Sequence, residues 1–193
     1  EALLRPLQSF EAQLATARGQ FAEAGQLYEK MAEKSKQLHL RLYSLLMAAE
    51  AYFHEDSARG VSMCEALVPQ VLAAEKTALP EGAAAELTLP LLGAAELCEN
   101  HEQWDLALSY YQFALRSASQ QHNQYWLPAA AGRARVLAQQ EDMLRLTQAY
   151  RDILRRLPRE AAEDQAEFSL KLALVYQSLH KPKQAAACFE TAL

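Results

Sequence analysis

One short pattern of small and aromatic residues recurs three times along this chain. In each occurrence an alanine is followed four residues later by an aromatic residue, and three residues after that by a small or apolar one. The three sets are Ala24, Tyr28 and Met31; Ala107, Tyr111 and Ala114; and Ala185, Phe189 and Ala192. Spacings of four and three place side chains on one face of an α-helix. The pattern therefore predicts three helices that each pack a small residue closely against a neighbour.

The rest of the sequence also favours helices. Alanine, leucine, glutamine and glutamate have good helix propensity, and long stretches of alternating apolar and polar residues are absent. With 6 Gly and 7 Pro among 193 residues, the chain lacks the many tight turns of a β-sandwich or barrel. Helix-breaking clusters separate the apolar-periodic segments at 54–57, 79–82, 120–123, 157–160 and 180–183. We therefore predict about ten helices, antiparallel in chain order because the joints are short.

Small residues also stand 12 positions before each of the three alanines, at Ala12, Ala95 and Ala173. Two weaker units follow the same plan. They are Ala134 with Leu146 and Tyr150, and Ala49 with Val61 and Val68. The combined pattern resembles the tetratricopeptide repeat (TPR), in which a first and a second helix form a hairpin. The resemblance implies an all-α, right-handed superhelical solenoid of about five stacked antiparallel hairpins. Its approximate units are 1–36, 37–80, 81–122, 123–160 and 161–193.

The predicted repeats are longer than the usual TPR. The second-helix positions Ala24, Val61, Ala107, Leu146 and Ala185 are separated by 37, 46, 39 and 39 residues, against roughly 34 in the standard repeat. Stretched repeats of this kind are similar to those of kinesin light chains, spindle-orientation adaptors and the sensor arrays of large signalling ATPases. A plain helical bundle is the alternative. Apolar periodicity continues to both ends, so we expect a single array cut from a longer protein.

Composition excludes several classes of function. A formal net charge of -5 disfavours a dedicated nucleic-acid binder. The sequence contains no apolar run long enough for a membrane span. Cys64, Cys98 and Cys188 are an odd number and far apart, which does not suit a disulfide framework. We therefore expect a reducing, cytoplasmic compartment, with the nucleus left open.

The sequence offers no recognisable catalytic or metal-binding motif. Glycine-rich phosphate loops, zinc-protease and paired-cysteine motifs and the serine nucleophile elbow are all missing. Cys98 and His101 have a metal-ligand spacing, but two further ligands would be needed nearby. His54 and His180 occupy predicted turns, where polar residues are ordinary. We predict that the protein is not an enzyme and uses neither cofactor nor metal.

Function is then expected from the surface that the hairpins create. In the TPR family the first helices line a concave groove that holds an extended peptide or a partner helix. The positions that the resemblance places there are Glu50, Phe53, Leu92, Glu96, Glu99, Arg135 and Gln177. This mixture of apolar and acidic residues suits an amphipathic, possibly basic, protein segment. The Lys, Asn and Arg residues with which a related variant grips chaperone tails are absent except for Arg135, which disfavours that role.

The sequence therefore predicts a scaffold or adaptor that binds another protein and neither nucleic acid nor membrane. The alternative is a regulatory sensor array within a larger signalling or transcription-control protein. Both alternatives use the same repeat surface, and the oligomeric state is left open.

Overall fold

The computed structural model describes residues 4–76, 83–119 and 124–192, and within these ranges the chain forms helices and no strand. The ten described helices are α1 (Leu4–Ala17), α2 (Phe21–Lys34), α3 (Leu38–Glu55), α4 (Ser57–Lys76), α5 (Ala83–Asn100), α6 (Trp104–Ser119), α7 (Trp126–Gln139), α8 (Met143–Arg156), α9 (Ala162–Ser178) and α10 (Pro182–Ala192). The predicted all-α fold is confirmed. The predicted joints at 79–82 and 120–123 lie outside the described residues.

The chain divides into two compact units, Glu1–Trp126 and Leu127–Leu193. Helices α1 to α6 lie in the first unit, and α7, from its second residue, to α10 lie in the second. Each of the five predicted repeat units contains one consecutive pair of helices. The division of the chain into five repeats stays a prediction.

Small residues and tyrosines build the core of the first unit. Where α1, α2 and α3 meet, alanines allow the backbones to approach, and two tyrosines fill the space beside them. This cluster consists of Ala12, Ala15, Ala24, Tyr28, Ala48, Ala51 and Tyr52. The recurring alanines Ala24, Ala107 and Ala185 are all buried, as their spacing predicted.

Four of the five turns within helix pairs share one backbone structure. Each contains a residue with positive φ, and that residue lies five positions before the small or apolar residue of the second helix. These residues are Gly19 (φ 73), Glu102 (φ 58), Glu141 (φ 55) and His180 (φ 55). In the first turn Gly19 N–H donates to the Thr16 carbonyl (3.0 Å) and Gln20 N–H to the Ala15 carbonyl (2.9 Å). The other three turns repeat both bonds, which is the hydrogen-bond pattern of the Schellman motif.

The turn between α3 and α4 differs, and it corrects one detail of the predicted repeat. Only Asp56 separates these helices, with an extended backbone (φ -147), and its carboxylate accepts a hydrogen bond from Ala58 N–H at 2.9 Å. In the three strong units the small residues of the first and second helices are 12 positions apart. The shorter turn reduces this spacing to 11 after Ala49, so the small residue of the second helix is Gly60. The predicted position, Val61, was one residue out of register.

Packing confirms the corrected register of α4. The ring of Phe53 comes within 2.5 Å of the place where a Cβ on Gly60 would stand. Cys64 and Leu67 continue the buried face four and seven residues later, whereas Val61 and Val68 are only half-buried. One residue changes the direction of a helical side chain by about 100°, which explains why the shorter turn moves the whole buried face.

Candidate interaction face of α3 and α5

Two contacts align α3 with α5 at both ends. Near their beginnings, His39 Nδ1 and Glu86 Oε2 are 2.8 Å apart. Near their ends, the Phe53 ring stacks on His101 with 3.9 Å between centroids and an interplanar angle of 8°. The two first helices therefore lie side by side and run in the same direction.

This alignment brings four exposed side chains onto one face. Tyr43 and Glu50 are seven residues apart on α3, and Leu89 and Glu96 are seven residues apart on α5. A spacing of seven returns to the same side of a helix. Tyr43 is 50% exposed and Leu89 51% exposed, and both glutamates are exposed. We call these four residues the α3–α5 face, with an apolar pair towards the helix N-termini and a carboxylate pair two turns later.

The phenol of Tyr28 on α2 is influenced by the same face. Burial raises the pKa of Tyr28, and nearby Tyr43 and Glu50 raise it further, while a hydrogen bond with Thr16 acts in the opposite direction. The electrostatic influence of Tyr43 and Glu50 thus extends below the surface of this face to a buried side chain.

Three of the residues predicted for a groove are engaged inside the first unit. Phe53 is 7% exposed and Leu92 6% exposed, because the packing of the hairpins covers both side chains. Glu99 is half-buried and accepts a hydrogen bond from the Tyr111 hydroxyl. Phe53 and Leu92 thus offer little surface to a partner.

The remaining predicted residues divide between the units. Glu50 and Glu96 are exposed in the first unit, on the α3–α5 face. Arg135 on α7 and Gln177 on α9 are exposed in the second unit. The neighbouring part of α9 also exposes Leu170 and Leu174.

Sequence reasoning missed Tyr43 and Leu89, although a signal for them was present. Each lies seven residues before a glutamate that was identified. Extending the predicted groove from each glutamate by two helical turns towards the N-terminus would have found both. The apolar residues chosen instead, Phe53 and Leu92, each lie one turn from a glutamate and are buried against neighbouring helices.

The described residues contain no group of three or more His, Cys, Asp or Glu side chains that could hold a metal ion. The described helices also lack the combination of length and apolarity needed to cross a membrane.

Comparisons with solved structures identify the fold. A candidate kinesin light chain from Podosopora anserina, with nearly identical TPR-like repeats, superimposes with a TM-score of 0.61 and 17% identity over 97% of this chain and 92% of that chain. A variant of that protein gives 0.59 at the same identity and coverage. BtubC (BKLC) from P. vanneervenii gives 0.57 with 16% identity over 94% of this chain and 75% of that chain.

No family model and no curated protein matches the sequence. The structural likeness confirms the resemblance inferred from the spacing of small and aromatic residues. This chain therefore has the fold of the TPR-like helical-repeat proteins.

Proposed function

We propose that this protein is a non-enzymatic scaffold or adaptor that binds a peptide or partner helix on the α3–α5 face. The observation that supports it is the pairing of two exposed apolar side chains with two exposed carboxylates on aligned helices. An amphipathic segment carrying basic residues complements such a surface. The three cysteines form no disulfide, which suits the reducing, cytoplasmic compartment that we propose for it.

The two kinds of residue have different tasks in this proposal. Glu50 and Glu96 share a negative potential that raises the association rate of a basic segment. Tyr43 and Leu89 provide the apolar area that is removed from water and holds the complex together. Tyrosine is well suited to this role, because it combines a rigid apolar ring with a hydroxyl that stays hydrated.

A binding assay with designed peptides tests the proposal. The probe is a fluorescent amphipathic helix of leucine and lysine, and its comparison is the same peptide with glutamate in place of lysine. We expect fluorescence anisotropy to show binding of the basic peptide only. In the double variant Glu50→Lys/Glu96→Lys, association should slow at least tenfold and lose most of its salt dependence, with an unchanged circular dichroism spectrum.

Two further variants complete the test. Tyr43→Ala/Leu89→Ala should accelerate dissociation, since it removes the apolar contacts but not the charge. Glu23→Lys/Glu65→Lys reverses two exposed carboxylates on the second helices α2 and α4 and should leave binding unchanged. Equal weakening by this control pair, or equal binding of the acidic peptide, would refute the α3–α5 face.

A further inference from the structure

A second candidate site lies in the first unit, between α2 and α4. Both helices pack on α3, and the space between them forms an open cleft of about 610 Å³. Pockets for small molecules commonly measure about 300–1,000 Å³. The α3 residues that reach this cleft, Arg41 and Leu45, differ from those that form the α3–α5 face.

Arg41 is the unusual residue of the cleft. It is half-buried, and its Nε is buried without a hydrogen-bond partner among the residues that the structure describes. Its guanidinium also has no ion pair within those residues. A buried donor without a partner destabilises the folded protein, and more so on a charged group. The guanidinium charge is delocalised over its three nitrogens, so an anion bound to the two terminal nitrogens would pair with this charge.

The α2 side of the cleft provides acceptors. Glu29 and Glu33 line the cleft from α2. Glu29 is already occupied, since it accepts a hydrogen bond from the Tyr52 hydroxyl at 2.7 Å. Glu33 is exposed and has no ion pair with any described residue. Because α2 and α3 are consecutive and antiparallel, Glu33 near the end of α2 and Arg41 near the start of α3 lie at the same end of the cleft.

Apart from Gln70, the remainder of the cleft is apolar. Leu45, Met63 and Leu67 line it together with two alanines. Methionine is unbranched and polarisable, so it adapts to apolar groups of different shape. The cleft thus has an apolar interior and one end that carries an unpaired cation and an unpaired carboxylate.

We propose that this cleft binds an α-amino carboxylate with an apolar side chain. The ligand carboxylate pairs with the terminal nitrogens of Arg41, and its α-nitrogen N–H donates to Glu33. The apolar side chain lies against Leu45, Met63 and Leu67. A free apolar amino acid and the C-terminal residue of a peptide both present this chemistry. The site is separate from the α3–α5 face, so neither proposal depends on the other.

Calorimetric titration of the full chain with leucine derivatives tests this site. We expect L-leucine and N-acetyl-L-leucine to bind, and L-leucinamide and N-acetyl-L-leucinamide, which have no carboxylate, to bind at least tenfold more weakly. An acetylated tripeptide ending in leucine distinguishes the two sources. Tighter binding of the tripeptide assigns the site to a chain terminus, and tighter binding of leucine assigns it to a free amino acid.

Variants identify the groups responsible. Arg41→Gln should weaken binding of N-acetyl-L-leucine at least tenfold and melt at the same or a higher temperature, because it removes a buried Nε–H that has no partner among the described residues. Glu33→Gln should weaken the binding of L-leucine more than the binding of N-acetyl-L-leucine, since only L-leucine carries a charged amine. Lys30→Gln removes an exposed cation of α2 outside the cleft and should change neither affinity.

Three results would overturn the proposal. They are equal binding of leucine and leucinamide, full affinity of Arg41→Gln, and absence of binding by every carboxylate in the series. A large loss of stability in Arg41→Gln would also count against it, because it would show that the arginine is paired within the protein.

Discussion

At the scale of single residues, the four left-handed turns are the most revealing positions. Only one of them, Gly19, carries the residue that tolerates positive φ without cost. Glu102, Glu141 and His180 adopt the same conformation with a side chain. An L-residue there costs roughly 1–2 kcal/mol, so the Schellman hydrogen bonds and the packing of both helices must hold these turns in place.

Opposite substitutions at two of these turns should change stability in opposite directions. Glu102→Gly should raise the free energy of unfolding by about 0.5–1 kcal/mol, because the relief of strain exceeds the entropy gained by the unfolded chain. Gly19→Ala should lower it by about 1 kcal/mol, and the cause is conformational, since a Cβ there meets no atom within 4 Å. Urea denaturation at neutral pH measures both. A change of the same sign in the two variants would contradict the shared turn.

A second residue-scale prediction concerns Gly25 in the middle of α2. A Cβ there would stand 2.3 Å from the Tyr52 ring. Alanine is the better helix former by about 1 kcal/mol, yet Gly25→Ala should destabilise the protein by about 1–3 kcal/mol through overpacking. Gly93→Ala is the matched control. It meets only the end of the flexible Leu46 side chain, at 2.8 Å, and should cost less. An equal or larger loss at Gly93 would contradict this ranking of contacts.

At the scale of helices, one hydrogen bond joins the second and third helix pairs. The Tyr110 hydroxyl on α6 donates to the Cys64 carbonyl on α4 at 2.5 Å, and both residues are buried. Burial raises the pKa of Tyr110 above its ordinary value near 10, and neighbouring Cys64 and Cys98 act in the same direction. The folded protein therefore retains this proton at a pH where the unfolded chain has lost it.

Linkage gives the sign of the resulting pH dependence. Tyr110→Phe should lower the free energy of unfolding by about 1 kcal/mol at pH 7, since the hydrogen bond is lost. Above pH 10 ionisation of Tyr110 in the unfolded state destabilises the parent protein but not the variant, by about 1.4 kcal/mol per pH unit. Urea denaturation between pH 7 and 11 should show the free energy of unfolding of the variant first approach that of the parent protein and then exceed it. A constant difference between the variant and the parent protein over this pH range would refute the assignment.

The turn between α3 and α4 shows where reasoning from helices alone stops. The helices themselves follow from local spacing, because residues three and four apart meet within one helix. The step from one helix to the next depends on how many residues the turn uses, and Asp56 uses its extended backbone and carboxylate to make a shorter turn. The repeated pattern therefore located the helix α4. Its buried face is decided by a tertiary contact, the packing of the Phe53 ring against Gly60.

At the scale of the molecule, the first compact unit contains its own stabilising contacts. The Tyr52–Glu29 and Tyr110–Cys64 hydrogen bonds and the Phe53–His101 stack all lie within residues 1–126. In repeat proteins stability is approximately a sum of local terms between neighbouring repeats. This unit therefore has what it needs to fold without the second.

We expect the fragment 1–126 to fold by itself. Its far-UV circular dichroism should show a helical spectrum, and urea should unfold it in a single cooperative transition. The same fragment with Gly25→Ala should unfold at lower urea, which ties the transition to the packing described above. A fragment without a cooperative transition would contradict the independence of the first unit.

The sequence alone determined the helical class and the small-and-aromatic faces, because both depend on spacing within one helix, which a sequence displays directly. Helix-breaking clusters also located the joints at 54–57, 157–160 and 180–183. Only the tertiary structure decided which apolar residues of the first helices are covered. Phe53 and Leu92 are buried by neighbouring helices, while Tyr43 and Leu89, of similar apolar character, are left in solvent. Burial depends on the side of each helix that meets another helix, and that follows from turn lengths and long-range packing rather than from residues near in sequence.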